Sequence, residues 1–198
     1  MKKILFFFCL FFLPYVLFAT HNRSGEITFR QVSFLTYEIK IVTYTKTSSP
    51  ADRPRLGIEW GDNTNDSLAR TGTGTILEGD IKRNEYVGVH TYPGAGTYKI
   101  NFEDPNRDAG VKNISTSKVR SDEIPFYIET YLEINSFFKY NNSPILLQPP
   151  IDQGAAFQRF VHNPNAYDPD GDSLSYEIIA CMGAGGAPIP SFRIPEAS

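Results

Sequence analysis

The stretch VHTYPGAGTYKINF, Val89 to Phe102, decides the fold class. Its second half sets Tyr98, Ile100 and Phe102 against Lys99, Asn101 and, one residue further on, Glu103. A period of two places the first three side chains on one face of a strand and the others on the opposite face. Ahead of that strand, the YPGAGT cluster supplies Pro93, Gly94 and Gly96, and the glycines give the backbone freedom to turn. A turn that feeds a half-buried strand is the basic unit of an antiparallel sheet.

The same alternation recurs on both sides of this stretch. GEITFRQV sets Ile27 and Phe29 against Glu26, Thr28 and Arg30. LTYEIKIVTYT puts Tyr37, Ile39 and Ile41 on one face and Glu38 and Lys40 on the other. IPFYIETYLEIN aligns Phe126, Ile128, Leu132 and Ile134 against Tyr127, Glu129, Tyr131 and Glu133. Between these runs lie the turn clusters SSPADRP, WGDNTND and EDPNRDAG. Short strands with such punctuation predict an all-β chain built as a β-sandwich. The predicted core includes Ile39, Ile41, Trp60, Tyr98, Ile100 and Ile128. SLARTGTG is too short and too rich in glycine to make a helix.

The first nineteen residues, MKKILFFFCLFFLPYVLFA, form a separate class of sequence. Lys2 and Lys3 precede an apolar run interrupted by Pro14, and Ala19 is a small residue suited to a cleavage site. This pattern predicts a secretory signal peptide over residues 1–19, and hence a secreted or outer-cell-surface chain. Cys9 lies within the apolar run without the small residues of a lipidation site. Beyond it, Cys181 is the one remaining cysteine, so the mature chain has no intramolecular disulfide. A sizeable core or a metal must supply the stability instead. The net charge of −3 becomes more negative once the two lysines leave, which gives no electrostatic case for nucleic acid. No later apolar run is long enough to span a membrane as a helix.

Proline marks a boundary in KYNNSPILLQPP, residues 139–150, which reads as a stiff linker or edge strand. Residues 20–140 are expected to form one sandwich and 141–198 a second unit. That unit is too short for a complete sandwich of about 100 residues, which suggests that the sequence stops inside it. Within it, AYDPDGDSLSYEI, Ala166 to Ile178, packs three aspartates into five residues and then alternates Leu174, Tyr176 and Ile178, a strand pattern. Asp168, Asp170 and Asp172 could converge on calcium if Gly171 bends the chain, since calcium takes six to eight hard oxygen ligands. They could equally form a solvated, Asx-rich turn. An EF-hand is excluded, because the twelfth position counted from Asp168 is Ile179 and not glutamate.

Two motifs of the first unit, IEWGDNT (Ile58 to Thr64) and VHTYPGAGTYKINF, resemble the PKD domain, an immunoglobulin-like sandwich. The first departs from the family pattern: Asn63 stands where glycine is usual, and Trp60 directly precedes the glycine. In the second unit, NNSP (Asn141 to Pro144) and AYDPDGDSLSYEI resemble the linker and the Asp-x-Asp segment of cadherin-like repeats. That resemblance implies calcium ligation by Asp168, Asp170, Asp172 and Asn142, and a buried tyrosine on the strand that follows. Glu103 and Asp104 are weaker candidates for the other half of such a site. The expected architecture is therefore a tandem of immunoglobulin-like sandwiches, the second incomplete. The order of segments resembles the start of large Bacteroidetes secreted surface proteins with gliding-motility-associated or sorting domains.

Enzymatic signatures are weak. His21, His90 and His162 have no metal-like spacing, and His90 suits a structural hydrogen bond. There is no Gly-x-Ser-x-Gly, and Cys181 has no recognisable histidine partner. GAGGA, Gly183 to Ala187, lacks the lysine and the strand–helix setting of a phosphate loop and reads as a flexible loop. The expected function is a non-enzymatic adhesion or structural protein, with surface glycans or proteins as partners and calcium stiffening its joints. The alternative is a carbohydrate-binding accessory module of a larger secreted enzyme, with Tyr127, Tyr131 and Tyr140 stacking on sugar rings. Those tyrosines serve equally well as ordinary strand formers.

Overall fold

A computed structural model describes residues 21–137, 140–150, 157–159 and 161–194. The expected signal peptide, 1–19, lies outside these residues. The described residues form an all-β fold built on two antiparallel four-stranded sheets. β1 (Asn22–Ser33), β2 (Thr36–Lys46), β5 (Thr75–Leu77) and β6 (Ile81–Thr91) form the first sheet, in the order β1-β2-β6-β5. β3 (Arg55–Glu59), β4 (Asn65–Ala69), β7 (Gly96–Asp104) and β8 (Phe126–Ile134) form the second, in the order β4-β3-β7-β8. The inner faces pack together. Ile27, Phe29, Tyr37, Ile39 and Ile41 from one sheet meet Leu56, Ile58, Ile100, Phe102, Leu132 and Ile134 from the other. The faces read from alternation are the ones the structure uses. Tyr98 and Ile128 lie at the margin of this core, half-buried.

The longest strand that alternation misses is β6. Its outward positions carry Val87 and Val89, while its inward positions include Asn84, Gly88 and His90, a pattern that hides the strand from hydrophobic periodicity. The reason is steric. A Cβ on Gly88 would lie 2.6 Å from a Leu68 methyl and 3.1 Å from the Trp60 ring, so those two side chains occupy the space. Asn84 is buried but satisfied, donating to Thr45 Oγ1 at 3.0 Å and accepting from Arg70 at 3.1 Å.

β7 and β8 are joined by a long connection that is tied down along its length. Ser121 is fully buried; its hydroxyl donates to the Asp108 carbonyl at 2.8 Å and accepts from Val111 N–H at 3.1 Å. Arg23 pairs with Asp108 at 2.9 Å. Arg107 donates to the carbonyls of Pro125, 2.8 Å away, and Met182, 2.6 Å away. That last bond reaches across to the C-terminal part of the chain.

Within residues 141–194 the described residues form one short ladder, β9 (Ile145–Leu146) with β10 (Ala166–Tyr167), and a 3-10 turn at Ala184–Gly186. The strand expected at Leu174, Tyr176 and Ile178 is absent. Tyr176, expected to be buried, is 65% exposed, and Ile178 is exposed as well. Alternation yields a strand only where a neighbour supplies ladder hydrogen bonds and an apolar face. Among the described residues this segment meets neither. GAGGA is not a free loop. Gly183 N–H bonds the Ala187 carbonyl at 2.8 Å, Gly185 N–H bonds Glu103 at 2.7 Å, and Gly186 packs against the Tyr127 ring. Ile189 is buried alongside. Residues 182–193 therefore lie against the sandwich, held also by Arg193 N–H to the Asn113 carbonyl at 3.0 Å.

Candidate functional site

The aspartate loop begins where β10 ends. Asp168 is 8% exposed and its side chain organises the turn. Its Oδ1 accepts from the backbone N–H groups of Asp170 (2.8 Å) and Asp172 (3.2 Å), while Gly171 takes φ +85°. This is an Asx turn, in which a short acidic side chain replaces a backbone acceptor. Asp170 points the other way. Its carboxylate accepts from Asn142 N–H at 2.6 Å and from the Asn142 amide at 2.9 Å. Asn142 in turn reaches the edge of the first sheet, where its Oδ1 accepts from Gln31 N–H at 2.8 Å.

The structure thus joins residues 28 positions apart, Asn142 and Asp170, that the sequence groups only through the cadherin-like resemblance. It adds a partner that the sequence does not signal, the outer edge of β1. Ser143 continues the clasp, with its N–H to the Phe29 carbonyl at 3.0 Å and its hydroxyl accepting from Phe29 N–H at 2.8 Å. Asn141 N–H bonds the Gln31 side chain at 3.0 Å. An edge strand presents unpaired backbone groups, and the linker covers them here. Asp170, Asp168 Oδ1 and Asn142 Oδ1 all face N–H donors rather than a common point. Among the described residues no group of three or more His, Cys, Asp or Glu side chains could hold a metal ion. Glu103 and Asp104 are committed elsewhere: Glu103 to Gly185, and Asp104 to Arg53 at 2.8 Å and Asn106 N–H at 2.8 Å.

A second constellation unites the two motifs of the first unit. His90 Nε2 lies 2.7 Å from Asp62 Oδ2. The imidazole stacks on Trp60, with centroids 4.7 Å apart and planes 5° apart, and meets Tyr92 edge-on at 4.7 Å. Tyr92 donates to the Trp60 carbonyl at 3.3 Å, and Tyr98 closes on Tyr92 at 4.3 Å. The Asp62 side chain also accepts from Thr64 N–H at 3.0 Å. Gly61 and Asn63 take φ +86° and +67°, and asparagine tolerates the left-handed region well enough to replace the usual glycine. His90 is therefore a structural hydrogen-bonding residue that ties the β3–β4 turn to β6.

The charge on Asp62 follows from this setting. Burial opposes its ionisation, but the bonds from Thr64 and His90 prevail, and its carboxyl is held below the ordinary carboxylate range. A lowered folded-state pKa gives stability that is complete above the unfolded value and is lost as pH falls through the folded one. Asp62→Asn should therefore be less stable than wild type at neutral pH by a constant margin. That margin should shrink below about pH 4. Urea unfolding from pH 2 to pH 7 measures it, and a margin independent of pH in the acid range would contradict this assignment.

Of the three tyrosines considered for stacking, Tyr127 is buried and donates to Glu129 at 2.7 Å, whereas Tyr131 and Tyr140 are exposed. Cys181 is a free thiol within 3.3 Å of Arg107. No helix of the described residues is long and apolar enough to cross a membrane. No family model, curated protein or solved structure matches the chain.

Proposed function

We propose that this chain is a non-enzymatic module of a secreted or cell-surface adhesion or structural protein. The observation that carries the reading is the clasp from Asn141–Ser143 onto β1 and, through Asn142, onto Asp170. It fixes the start of the second unit against the edge of the sandwich. A linker held by several polar bonds transmits orientation from one unit to the next, which is what a stalk or adhesin requires. The PKD-like motifs packed around Trp60, Asp62 and His90, and the cadherin-like linker and aspartate loop, agree with an extracellular β-sandwich array.

Calcium enters this reading as a competitor for Asp170. Asp168, Asp170 and Asp172 offer three carboxylates within five residues, a donor set suited to a hard cation. Here Asp168 Oδ1 and the Asp170 carboxylate accept from N–H groups, so ion binding through Asp170 requires it to release Asn142. Extracellular modules commonly bind calcium with dissociation constants of about 10⁻⁴–10⁻³ M. Tenfold above its dissociation constant, the ion adds about 1.4 kcal/mol of stability. Millimolar calcium is expected to raise the melting temperature, magnesium to do much less, and Asp168→Ala with Asp170→Ala to remove the calcium response. A melting temperature unmoved by calcium, with no heat in calorimetry, would leave the clasp as a purely hydrogen-bonded joint.

A further inference from the structure

We infer that the outer face of the second sheet is a binding surface for neutral oligosaccharides, centred on Lys99 and Tyr131. This deepens the adhesion reading and rests on it for its setting, since it names the class of partner. The face is polar and ordered in rows. β3, β7 and β8 align Glu59 opposite Asn101, and Asn101 opposite Glu129. The next row sets Lys99 opposite Tyr131, with Gly61 against the Lys99 backbone. Neighbouring strands lie about 4.8 Å apart, and successive rows on one face about 7 Å apart. Two such rows span the dimensions of one to two pyranose rings.

The chemistry of the rows suits sugar hydroxyls. A concavity of about 380 Å³ is lined by Glu59, Gly61, Asn63, Asn65, Lys99 and Asn101, together with Thr64. Every side chain in it carries a donor or an acceptor, and carboxylate, amide and ammonium groups stand side by side. Asn101 is held in place by its bond to Glu59 Oε2 at 3.0 Å, and the Lys99 ammonium lies 3.6 Å from Glu129 Oε2. The Asn101–Glu59 bond fixes these two side chains, which lowers the entropic cost of binding through them. Glu59 and Glu129 flank Asn101, and Glu133 stands one row beyond Tyr131, so carboxylates outnumber Lys99 and the face disfavours an anionic ligand.

Tyr131 supplies the apolar half of the recognition. It stands beside Lys99 in register and is 58% exposed, a large ring left in water on a polar sheet face. An aromatic face packs against the C–H face of a sugar while polar neighbours bind its hydroxyls. At one end the strip runs on into the exposed row of Thr97 opposite Glu133. At the other, the Gly183–Ala187 loop covers the next row, where Gly185 N–H takes Glu103 and Gly186 rests on Tyr127. That explains why Tyr127 is buried and Tyr131 is open.

The test uses the purified chain against immobilised hexamers of β-1,4-linked glucose, xylose, mannose and N-acetylglucosamine, with calorimetry on any that bind. Saturable binding to at least one hexamer is expected, unchanged by chelation of calcium. Tyr131→Ala should weaken it about tenfold or more, Lys99→Met should weaken it measurably, and Tyr131→Phe should retain it. Tyr131 and Lys99 are surface residues, and thermal melting checks that each variant folds. No saturable binding to any hexamer, binding untouched by Tyr131→Ala, or binding confined to anionic glycans would overturn the inference. The calcium titration reads the linker clasp and the hexamers read this face, so either result can fail alone.

Discussion

Replacing Ile100 with alanine is expected to lower the unfolding free energy by about 2–5 kcal/mol. Ile100 lies at the middle of β7 and is fully buried between the sheets, in the cluster that contains Ile39, Ile58 and Leu132. Removing three carbons there loses their transfer free energy and leaves a cavity that two hydrogen-bonded sheets cannot easily collapse. Ile128 on β8 is only half-buried at the margin of the same cluster, and Ile128→Ala should cost distinctly less. Equilibrium urea unfolding of both variants measures the difference. A change below about 0.5 kcal/mol for Ile100→Ala would mean that the inward face of β7 has been misassigned.

Gly61→Ala should be comparably disruptive, by a different mechanism. Gly61 adopts φ +86°, a left-handed conformation that costs an L-residue about 1–2 kcal/mol. A Cβ at this position would also lie 2.6 Å from Lys99 N and 2.7 Å from Lys99 O. Those are backbone atoms of a central strand and cannot swing aside as a side-chain tip would. Relief requires β3 and β7 to separate, and overpacking of this kind adds about 1–3 kcal/mol. Asn63 provides the control. It too has positive φ, at +67°, but lies exposed in the same turn, so Asn63→Gly should leave stability nearly unchanged. Unfolding midpoints of the two variants separate the steric claim from a general fragility of the turn. If Gly61→Ala unfolds at the wild-type midpoint, the close approach to Lys99 is not a constraint in solution.

The strands most legible in the sequence are those whose inward side chains are uniformly large and apolar. β1, β2, β7 and β8 each turn one alternating apolar set into the main core, and those faces follow from a period of two, although β2 also buries Val42 and Tyr44 on its other face against Ile81. β6 is illegible for the opposite reason, because the partner sheet fills its inward positions with Leu68 and Trp60 and leaves room there for Gly88. The segment from Leu174 to Ile178 has the right pattern and no strand. Its alternation records a preference that only a pairing neighbour can realise.

The candidate sites divide along the same line. That Asp168 and Gly171 make a turn is legible locally, since an aspartate two residues ahead of its own donor partner and a glycine at positive φ act within a few bonds. The approach of Asn142 to Asp170, and to Gln31 on β1, depends on chain paths separated by 28 and 111 residues. The row of Glu59, Asn101 and Glu129 likewise exists only through strand register. Sequence by itself determined the β class, the inward faces of four strands and the local turns, because a side chain's alternation and a backbone's φ preference are properties of neighbouring residues. Tertiary structure decided which polar groups meet, which tyrosine stays open and where the linker rests, because hydrogen bonds and steric exclusion act between whichever surfaces the packed sheets bring together.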